Sequence, residues 1–328
     1  MSAAGRNASL DALRVLSLLG IITLHVAAGG FHDNRLLGFV LDELSRFAVP
    51  VFFILSAWFW KPEELAAPGR LVLRVLRRVG VPFVAWVAVM VAWQAVTVPS
   101  HALDLSPVGL AFLLWTGGPA FHLWFLPALI VGTVIVAFSG RWFGWRMTAV
   151  LSVALFLLGT IVGSYGPILL QRVSPFWMDR NGIFFAPVFL VAGVLLRRHG
   201  GWVSGLPVPT LIAAVVLFAL GQLGEGYLVV PRYPMGHDFS LSTLGYGISV
   251  VLLFMRLDLR WPVWSALGRA TFTAYLAHVL VIGILVVELK LGTNSLLVIA
   301  LTFAASLAAG VAWQWARGSV PRRSAAAR

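Results

Sequence analysis

Residues 9–30, SLDALRVLSLLGIITLHVAAGG, decide the class of the fold. They form an apolar run long enough to cross a bilayer, which takes roughly 17–25 residues. The run nevertheless contains Asp11 and Arg14 near its start and His25 near its end. Ionisable side chains inside a membrane span are costly and usually face a polar cavity. The stretch therefore predicts a transmembrane helix and raises the question of what these side chains do.

The composition of the chain is typical of a polytopic membrane protein. Of its 328 residues, 60% are hydrophobic and 11% are charged, and the mean hydropathy is +0.92. A soluble domain of this size does not need so much apolar surface. We do not expect the first run to be a cleaved signal peptide, because many equally apolar segments follow it. Cysteine is absent, which excludes disulfides, a cysteine nucleophile and cysteine-ligated metals.

Apolar segments of spanning length predict an all-α protein with about ten transmembrane helices. Segment 107–116 is too short to span and is predicted to be an interfacial helix or a loop. Pro50 should kink the second span or free a backbone carbonyl. We assign 1–317 to one transmembrane domain and 318–328 to a basic cytoplasmic tail. The predicted spans are 9–29, 36–60, 79–98, 120–139, 146–165, 182–197, 208–228, 239–256, 269–289 and 295–316.

The distribution of basic residues predicts that both termini are cytoplasmic. With the N-terminus inside, the inner ends and loops hold eighteen of the 24 Lys and Arg residues, and the outer loops hold five. Membrane proteins retain such residues on the cytoplasmic side. The asymmetry also explains the net charge of +12 without nucleic acid as a partner. The partner predicted for this surface is the lipid bilayer.

Arg14 and His25 lie on one face of the first predicted helix. They are 11 positions apart, which is about three turns and about 16.5 Å along the helix axis. Asp11 lies close to that face and three positions before Arg14. Two ordinary explanations stay open, because Arg14 could extend to the cytoplasmic interface and His25 could form an interhelical hydrogen bond.

The second span, 41-LDELSRFAVPVFFILSAWFW-60, adds charged residues near the predicted depth of His25. Its outer half contains Asp42, Glu43 and Arg46. A carboxylate there could orient the imidazole and stabilise its protonated form. Alternatively, these residues pair among themselves, because Asp42 and Arg46 are four positions apart on a helix.

The stretch 70-RLVLRVLRRVGVPFVAW-86 begins with basic residues on the predicted cytoplasmic side. Their spacing places four arginines on one helix face: Arg70, Arg74, Arg77 and Arg78. A guanidinium cluster suits bidentate binding of phosphate groups. An anchor that contacts lipid head groups would also explain the charge, and the spacing favours neither.

Two later stretches place histidines in the membrane region. The string HLWFL puts His122 and Trp124 at the predicted outer boundary. His122 could line the same outer cavity as His25, whereas tryptophans there are typical of an aromatic belt. Tyr275 and His278 lie three positions apart in the ninth span, where structural hydrogen bonds are expected. The histidines are on separate spans without metal-ligand spacing, so we predict no metal site.

Several of these stretches together resemble the acyltransferase family 3 membrane proteins. They occur in the order of the family over nearly the whole chain. One departure is Ala57, where a glycine commonly follows the serine at position 56. The matching elements are Arg14 and His25 with ten intervening residues, SRFAVPVFFILSA at 45–57, Arg74 and Arg77 as R-x-x-R, RRVGVPFVAW at 77–86, HLWFL at 122–126 and LGRATFTAYLAH at 267–278.

The resemblance implies an enzyme of the bacterial cytoplasmic membrane that moves a short acyl group, most often acetyl. The donor would be cytoplasmic acyl-coenzyme A, a co-substrate, and no cofactor would be bound permanently. The acceptor would be a hydroxyl of an extracytoplasmic glycan or lipid. The resemblance also implies that His25 is the catalytic histidine with Arg14 as its motif partner, and that Arg74 and Arg77 contact the coenzyme A phosphates.

The residues themselves suggest how such a reaction would proceed. His25 would act as general base on the attacking hydroxyl, with Glu43 as the carboxylate that orients it. The tetrahedral intermediate needs donors for its oxyanion, and Arg46, His122 or a backbone amide could supply them. Trp124 is a further candidate for contact with the substrate. An acyl-histidine intermediate is the alternative to direct transfer.

A membrane transporter is the main alternative function. Buried ionisable groups also mark transport paths, so the chain could export a glycan or a lipid-linked sugar. Transport would consume no acyl donor and would not specifically need Arg74 and Arg77. A non-catalytic scaffold is disfavoured, because it gives no reason for clustered charges inside the membrane.

Overall fold

A computed structural model shows the chain to be helical, and no strand occurs among the described residues. Six arginines that contribute to the predicted orientation lie outside the residues that the structure describes: Arg6, Arg180, Arg232, Arg322, Arg323 and Arg328. The structure describes residues 7–27, 35–97, 104, 106–172, 174–175, 181–229, 239–292 and 296–319.

The α-helices are numbered here along the described residues. They are α1 (Ala8–Ala27), α2 (Arg35–Ser45), α3 (Ala48–Trp58), α4 (Pro62–Leu65), α5 (Pro68–Val75), α6 (Val81–Thr97), α7 (Pro107–Thr116), α8 (Phe125–Trp142), α9 (Gly144–Val162), α10 (Gly166–Leu169), α11 (Ala186–His199), α12 (Val208–Val229), α13 (Leu241–Arg256), α14 (Pro262–Gly283) and α15 (Leu296–Ser319). Leu76–Gly80 and Ile284–Glu288 form π-helical turns, and Gly118–Trp124 and Gly200–Gly205 form 3₁₀-helices.

The prediction of an all-α protein is confirmed, and the long apolar helices indicate a multi-pass membrane protein. The second, sixth and eighth predicted spans correspond to shorter helices, namely α2 with α3, α11 and α13. The count of ten spans and the orientation stay predictions. In the described part of the chain, seven helices are long and apolar enough to cross a membrane: Ala8–Ala27, Pro68–Thr97, Pro107–Trp142, Gly144–Val162, Val208–Leu228, Pro262–Glu288 and Leu296–Gly318.

The second predicted span is interrupted, as expected from Pro50. Helix α2 ends at Ser45 and α3 begins at Ala48. Proline lacks an N–H group, and its ring clashes with the carbonyl four residues earlier, so a helix cannot continue through it undisturbed. The hydroxyl of Tyr246 donates to the carbonyl oxygen of Leu44 at 2.8 Å. The interruption thus leaves a helix-end carbonyl that a neighbouring helix satisfies.

Segment 107–116, expected to be an interfacial helix or a loop, forms helix α7. The side chain of Ser106 caps its start by accepting a hydrogen bond from the Gly109 N–H at 3.1 Å. Gly117 ends it with a φ of +85°, and Gly118 follows at +53°. Glycine adopts these left-handed conformations without steric cost. The turn leads into the 3₁₀-helix that carries His122.

Helix α1 lies inside the bundle, where it packs against α2, α3, α14 and α15. Small residues allow these helices to approach closely. A Cβ added at Gly20 would lie 3.0 Å from the Cβ of Ala48 on α3. A Cβ added at Gly193 of α11 would overlap the carbonyl oxygen of Ile54 on the same helix α3. These close approaches fix α1 and α11 against α3.

Candidate functional site

The four predicted arginines line one open cavity of about 490 Å³. The lining residues, called the arginine cavity below, are Arg70, Leu73, Arg74, Arg77 and Arg78. They occupy α5 and the π-helical turn Leu76–Gly80 that joins it to α6. Isolated π-helical turns occur frequently at functional sites. The arrangement concentrates positive charge in one concave surface, which is suited to an anionic ligand.

One hydrogen bond and a close ionic contact, both to Glu64, hold Arg74 in this cavity. Its Nη2 donates to Glu64 Oε2 at 2.7 Å, and its Nε lies 2.7 Å from Glu64 Oε1. Glu64 Oε2 also accepts a hydrogen bond from the Lys61 N–H at 2.8 Å. The carboxylate is therefore tied to the start of α4, and it fixes the orientation of one guanidinium at the rim of the cavity.

Arg14 lies at the same end of the bundle as the arginine cavity. Its guanidinium is 4.8 Å from the centre of the Phe59 ring, and Phe59 precedes Glu64 by five positions. Arg14 Nη1 donates to Asp11 Oδ1 at 2.5 Å, and the Arg14 side chain is only 21% exposed. Asp11 is fully buried beside Gly268 of α14. Arg14 is thus held inside the protein instead of extending into solvent.

Three histidines from three segments meet at the other end of α1. They are called the histidine cluster and are His25 of α1, His122 of the 3₁₀-helix and His278 of α14. The ring centres of His25 and His278 are 4.8 Å apart, those of His122 and His278 are 5.1 Å apart, and those of His25 and His122 are 6.3 Å apart. His122 and His278 are 1% and 0% exposed. The Phe121 ring lies 5.6 Å from the His25 ring.

The backbone carbonyls next to His25 and His278 indicate which ring nitrogen carries the proton in each. His25 Nδ1 lies 2.8 Å from the carbonyl oxygen of Ile21, and His278 Nδ1 contacts the carbonyl oxygen of Tyr275. A carbonyl oxygen only accepts hydrogen bonds, so each Nδ1 carries a proton. In a neutral imidazole the other nitrogen then has the lone pair. Nε2 of His25 is therefore the nitrogen that could accept a proton from a substrate.

His122 is fixed against α14 by two hydrogen bonds. Its Nε2 lies 3.3 Å from the carbonyl oxygen of Leu276, and its own carbonyl oxygen accepts a hydrogen bond from the Tyr275 hydroxyl at 2.5 Å. The structural hydrogen bonds expected for Tyr275 and His278 are thus present. The sequence reasoning missed that His278 also lies beside His25. The signal was available in the string LGRATFTAYLAH, which places His278 deep in an apolar helix.

The charged residues of the second predicted span are buried or half-buried and hydrogen-bonded. Arg46 Nη2 donates to Asp42 Oδ2 at 2.5 Å, as their spacing allowed. Glu43 is fully buried, and its Oε2 accepts a hydrogen bond from Gln222 Nε2 of α12 at 2.7 Å. The side-chain oxygen of Gln222 accepts hydrogen bonds from the hydroxyl of the serine just before α13 and from that of a threonine in its first turn. The contact between Glu43 and His25 stays a prediction.

Aromatic side chains pack near the histidine cluster. The Trp124 ring lies 6.5 Å from the Phe53 ring and 6.1 Å from the Phe185 ring, so it contacts core residues instead of serving only as a surface belt. Ser56 donates its hydroxyl to the carbonyl oxygen of Phe52 at 2.7 Å, within its own helix. The interaction of Trp124 with a substrate and the oxyanion roles of Arg46 and His122 remain predictions.

The histidine cluster does not form a metal centre in the described part of the chain. No group of three or more His, Asp or Glu side chains there has an arrangement that could hold a metal ion. At least one nitrogen of each ring already faces a backbone carbonyl. The arrangement is suited to proton transfer by imidazole groups.

Comparison with known proteins identifies a family model that matches nearly the whole chain. The family model of acyltransferase family 3, described as an acyltransferase domain, matches residues 7–314. A serine/alanine racemase from Enterococcus gallinarum is 28% identical over 296 residues, covering 83% of this chain and 40% of the relative. An amino-acid racemase from Enterococcus faecalis is 26% identical over 305 residues, covering 84% and 41%. The chain spans about two fifths of these relatives, and no solved structure matches it.

Proposed function

Because this chain belongs to acyltransferase family 3, we propose that it transfers an acyl group, most simply acetyl, from acyl-coenzyme A to a hydroxyl of an extracytoplasmic polysaccharide or glycolipid. It would do so in the bacterial cytoplasmic membrane, without a permanently bound cofactor. The supporting observation is that α1 connects two sites, with Arg14 near the arginine cavity at one end and His25 in the histidine cluster at the other.

The arginine cavity would bind the nucleotide part of the donor. Coenzyme A carries a pyrophosphate and a further phosphate, and guanidinium groups bind such anions in a bidentate manner. Arg74 and Arg77 would make the main contacts, with Arg70 and Arg78 adding charge. Arg14, about 16.5 Å from His25 along α1, would act on the donor and not on the reacting atoms. The pantetheine arm would extend from the cavity along α1.

The reaction would take place at Nε2 of His25. The acceptor hydroxyl would lose its proton to Nε2 while its oxygen bonds to the thioester carbonyl carbon. The tetrahedral intermediate would then collapse with cleavage of the carbon–sulfur bond. The departing thiolate would recover the proton from His25, so that free coenzyme A leaves as a thiol. Glu43, Arg46, His122 and Trp124 stay candidates for orienting the base or contacting the substrate.

The racemase activity named for the relatives is not carried over to this chain. The alignment covers only about two fifths of those proteins. The remaining three fifths of each relative are long enough to carry a separate activity. The family match instead covers residues 7–314 of this chain and supports acyl transfer.

The experiment uses purified protein in nanodiscs with radiolabelled acetyl-coenzyme A and an envelope extract. Thiol release and label transfer are compared for the wild type, His25→Ala and His199→Ala. His199 is an exposed histidine at the end of α11 and serves as the matched control. We expect both signals to disappear in His25→Ala alone, with the thermal unfolding midpoint retained. Equal behaviour of wild type and His25→Ala, or no donor consumption with any extract, would favour transport instead.

A further inference from the structure

We propose that His278 is a positioning residue that holds the ring of His25 by accepting a hydrogen bond from its Nδ1–H group. His278 Nε2 lies 3.3 Å from His25 Nδ1. The inference rests on the proposed function, because it assigns to His278 a part in the use of His25 as a base. It adds α14 to the segments that build the reactive site.

The direction of this hydrogen bond follows from the carbonyl contacts. His278 donates a hydrogen bond from its Nδ1–H group to the backbone carbonyl oxygen of Tyr275, so in the neutral ring its Nε2 has the lone pair and can only accept. His25 has its proton on Nδ1, so it donates. That proton is shared between the Ile21 carbonyl oxygen and His278 Nε2. The opposite assignment would set nitrogen lone pairs against carbonyl oxygens in both rings, which is repulsive.

The environment of His278 keeps its acceptor nitrogen in place. The side chain is 0% exposed, so it cannot leave its rotamer without opening the bundle. The His122 ring meets it nearly perpendicularly, at 87°. The Tyr275 hydroxyl, one turn away, joins α14 to the segment that carries His122. His278 is therefore buried behind His25 and acts through it.

The arrangement resembles the carboxylate that orients a histidine in hydrolase triads, but the orienting group is a neutral ring. A carboxylate at the position of His278 would add a buried negative charge that needs its own partner, as Glu43 has in Gln222. An imidazole fixes the same tautomer without that charge. When Nε2 of His25 takes the proton of the acceptor hydroxyl, the Nδ1–H group stays hydrogen-bonded. The positive charge on His25 then lies against two acceptors, Ile21 O and His278 Nε2.

The test compares two replacements of similar size. His278→Gln offers a side-chain oxygen as an acceptor, whereas His278→Leu fills the volume without one. We expect His278→Leu to lower kcat by about 10- to 100-fold, by analogy with groups that orient metal-ligating histidines, with the KM for acetyl-coenzyme A unchanged. His278→Gln should recover a substantial part of kcat. Equal loss in the two variants, or full activity of His278→Leu, would overturn the proposal.

A second readout does not depend on activity. In ¹⁵N-histidine NMR spectra, the resonances of His25 are identified by their loss in His25→Ala. We expect a protonated Nδ1 in the wild type and a changed Nδ1 environment in His278→Leu. Unchanged His25 resonances in His278→Leu would overturn the inference. A wild type that turns over no acetyl-coenzyme A but shows the expected spectra would reject the proposed function while leaving the hydrogen bond in place.

Discussion

Replacing Arg77 with alanine removes one guanidinium from the arginine cavity and should weaken binding of the acyl donor. A hydrogen bond to a charged group contributes about 1.5–3 kcal/mol. Arg77 is exposed in an open cavity, where solvent and salt reduce such contacts, so we use the lower end of that range. Since about 1.4 kcal/mol corresponds to a factor of ten, the KM for acetyl-coenzyme A should rise roughly 10-fold. The value of kcat should change little, because in the proposed binding mode the phosphates would be distant from the reacting atoms.

The assay measures initial rates of thiol release for the wild type, Arg77→Ala and Arg260→Ala. Arg260 is the matched control, because it is 82% exposed, pairs with Asp258 and does not line the cavity. A donor that lacks the 3′-phosphate of coenzyme A provides a second comparison. If Arg77 contacts that phosphate, the variant and the wild type should have nearly equal KM values for this donor.

Two results would refute the reasoning about the arginine cavity. One is an unchanged KM in Arg77→Ala, which would leave the cluster as an anchor for lipid head groups. The other is an equal rise in Arg77→Ala and Arg260→Ala, which would indicate a general effect of net charge. Raising the salt concentration should also increase the wild-type KM, because ionic contacts in an open cavity are screened.

Three further predictions concern stability, measured as thermal unfolding of the protein in detergent. Gly193→Ala should destabilise the fold by about 1–3 kcal/mol through overpacking. Gly201→Ala, which has open space around it, should have an effect within about 0.5 kcal/mol. Equal thermal unfolding midpoints for the two variants would contradict the close packing of α11 on α3. Tyr246→Phe should cost about 1–2 kcal/mol by leaving a helix-end carbonyl unsatisfied, and the exposed Tyr227→Phe should cost nothing measurable. Gln222→Leu should cost about 2 kcal/mol, because it removes one hydrogen-bond partner of the buried Glu43 carboxylate; a wild-type midpoint would show that other groups suffice.

The helices could be predicted where hydrophobic runs are long. The lengths of short helices that are stabilised by packing against their neighbours were harder to predict. Helix α1 coincides with its predicted span, and the break near Pro50 follows from the chemistry of proline. Helix α11 has only 14 residues. It is apolar on nearly every face because it is enclosed by other helices. A hydropathy pattern does not distinguish such a buried helix from a membrane span.

The parts of the candidate site that lie on a single helix could be predicted from the sequence. Facial spacing brought the arginines of the cavity together, and the same argument placed Arg14 and His25 on one face of α1. The meeting of His25 with His278 depends on the relative depth of two helices that are distant in sequence. Helix α14 begins at Pro262, seven residues before its predicted start at 269. With the observed start, His25 and His278 lie at similar distances from the starts of α1 and α14, which the predicted start did not show.

The central position of α1 has a consequence for synthesis of the protein. Its first turn contacts Leu257 and Leu259, and its last turn contacts His278, which is 253 positions after His25. At about 5–20 residues per second, a ribosome needs roughly 13–50 s to make that intervening chain. During this time the first helix is in the membrane while its native neighbour α14 does not yet exist. Its ionisable face must meanwhile be shielded by early helices, by water near the interface or by the insertion machinery. The ionisable residues of the candidate site therefore make insertion of the first helix less favourable until the last third of the chain completes its environment.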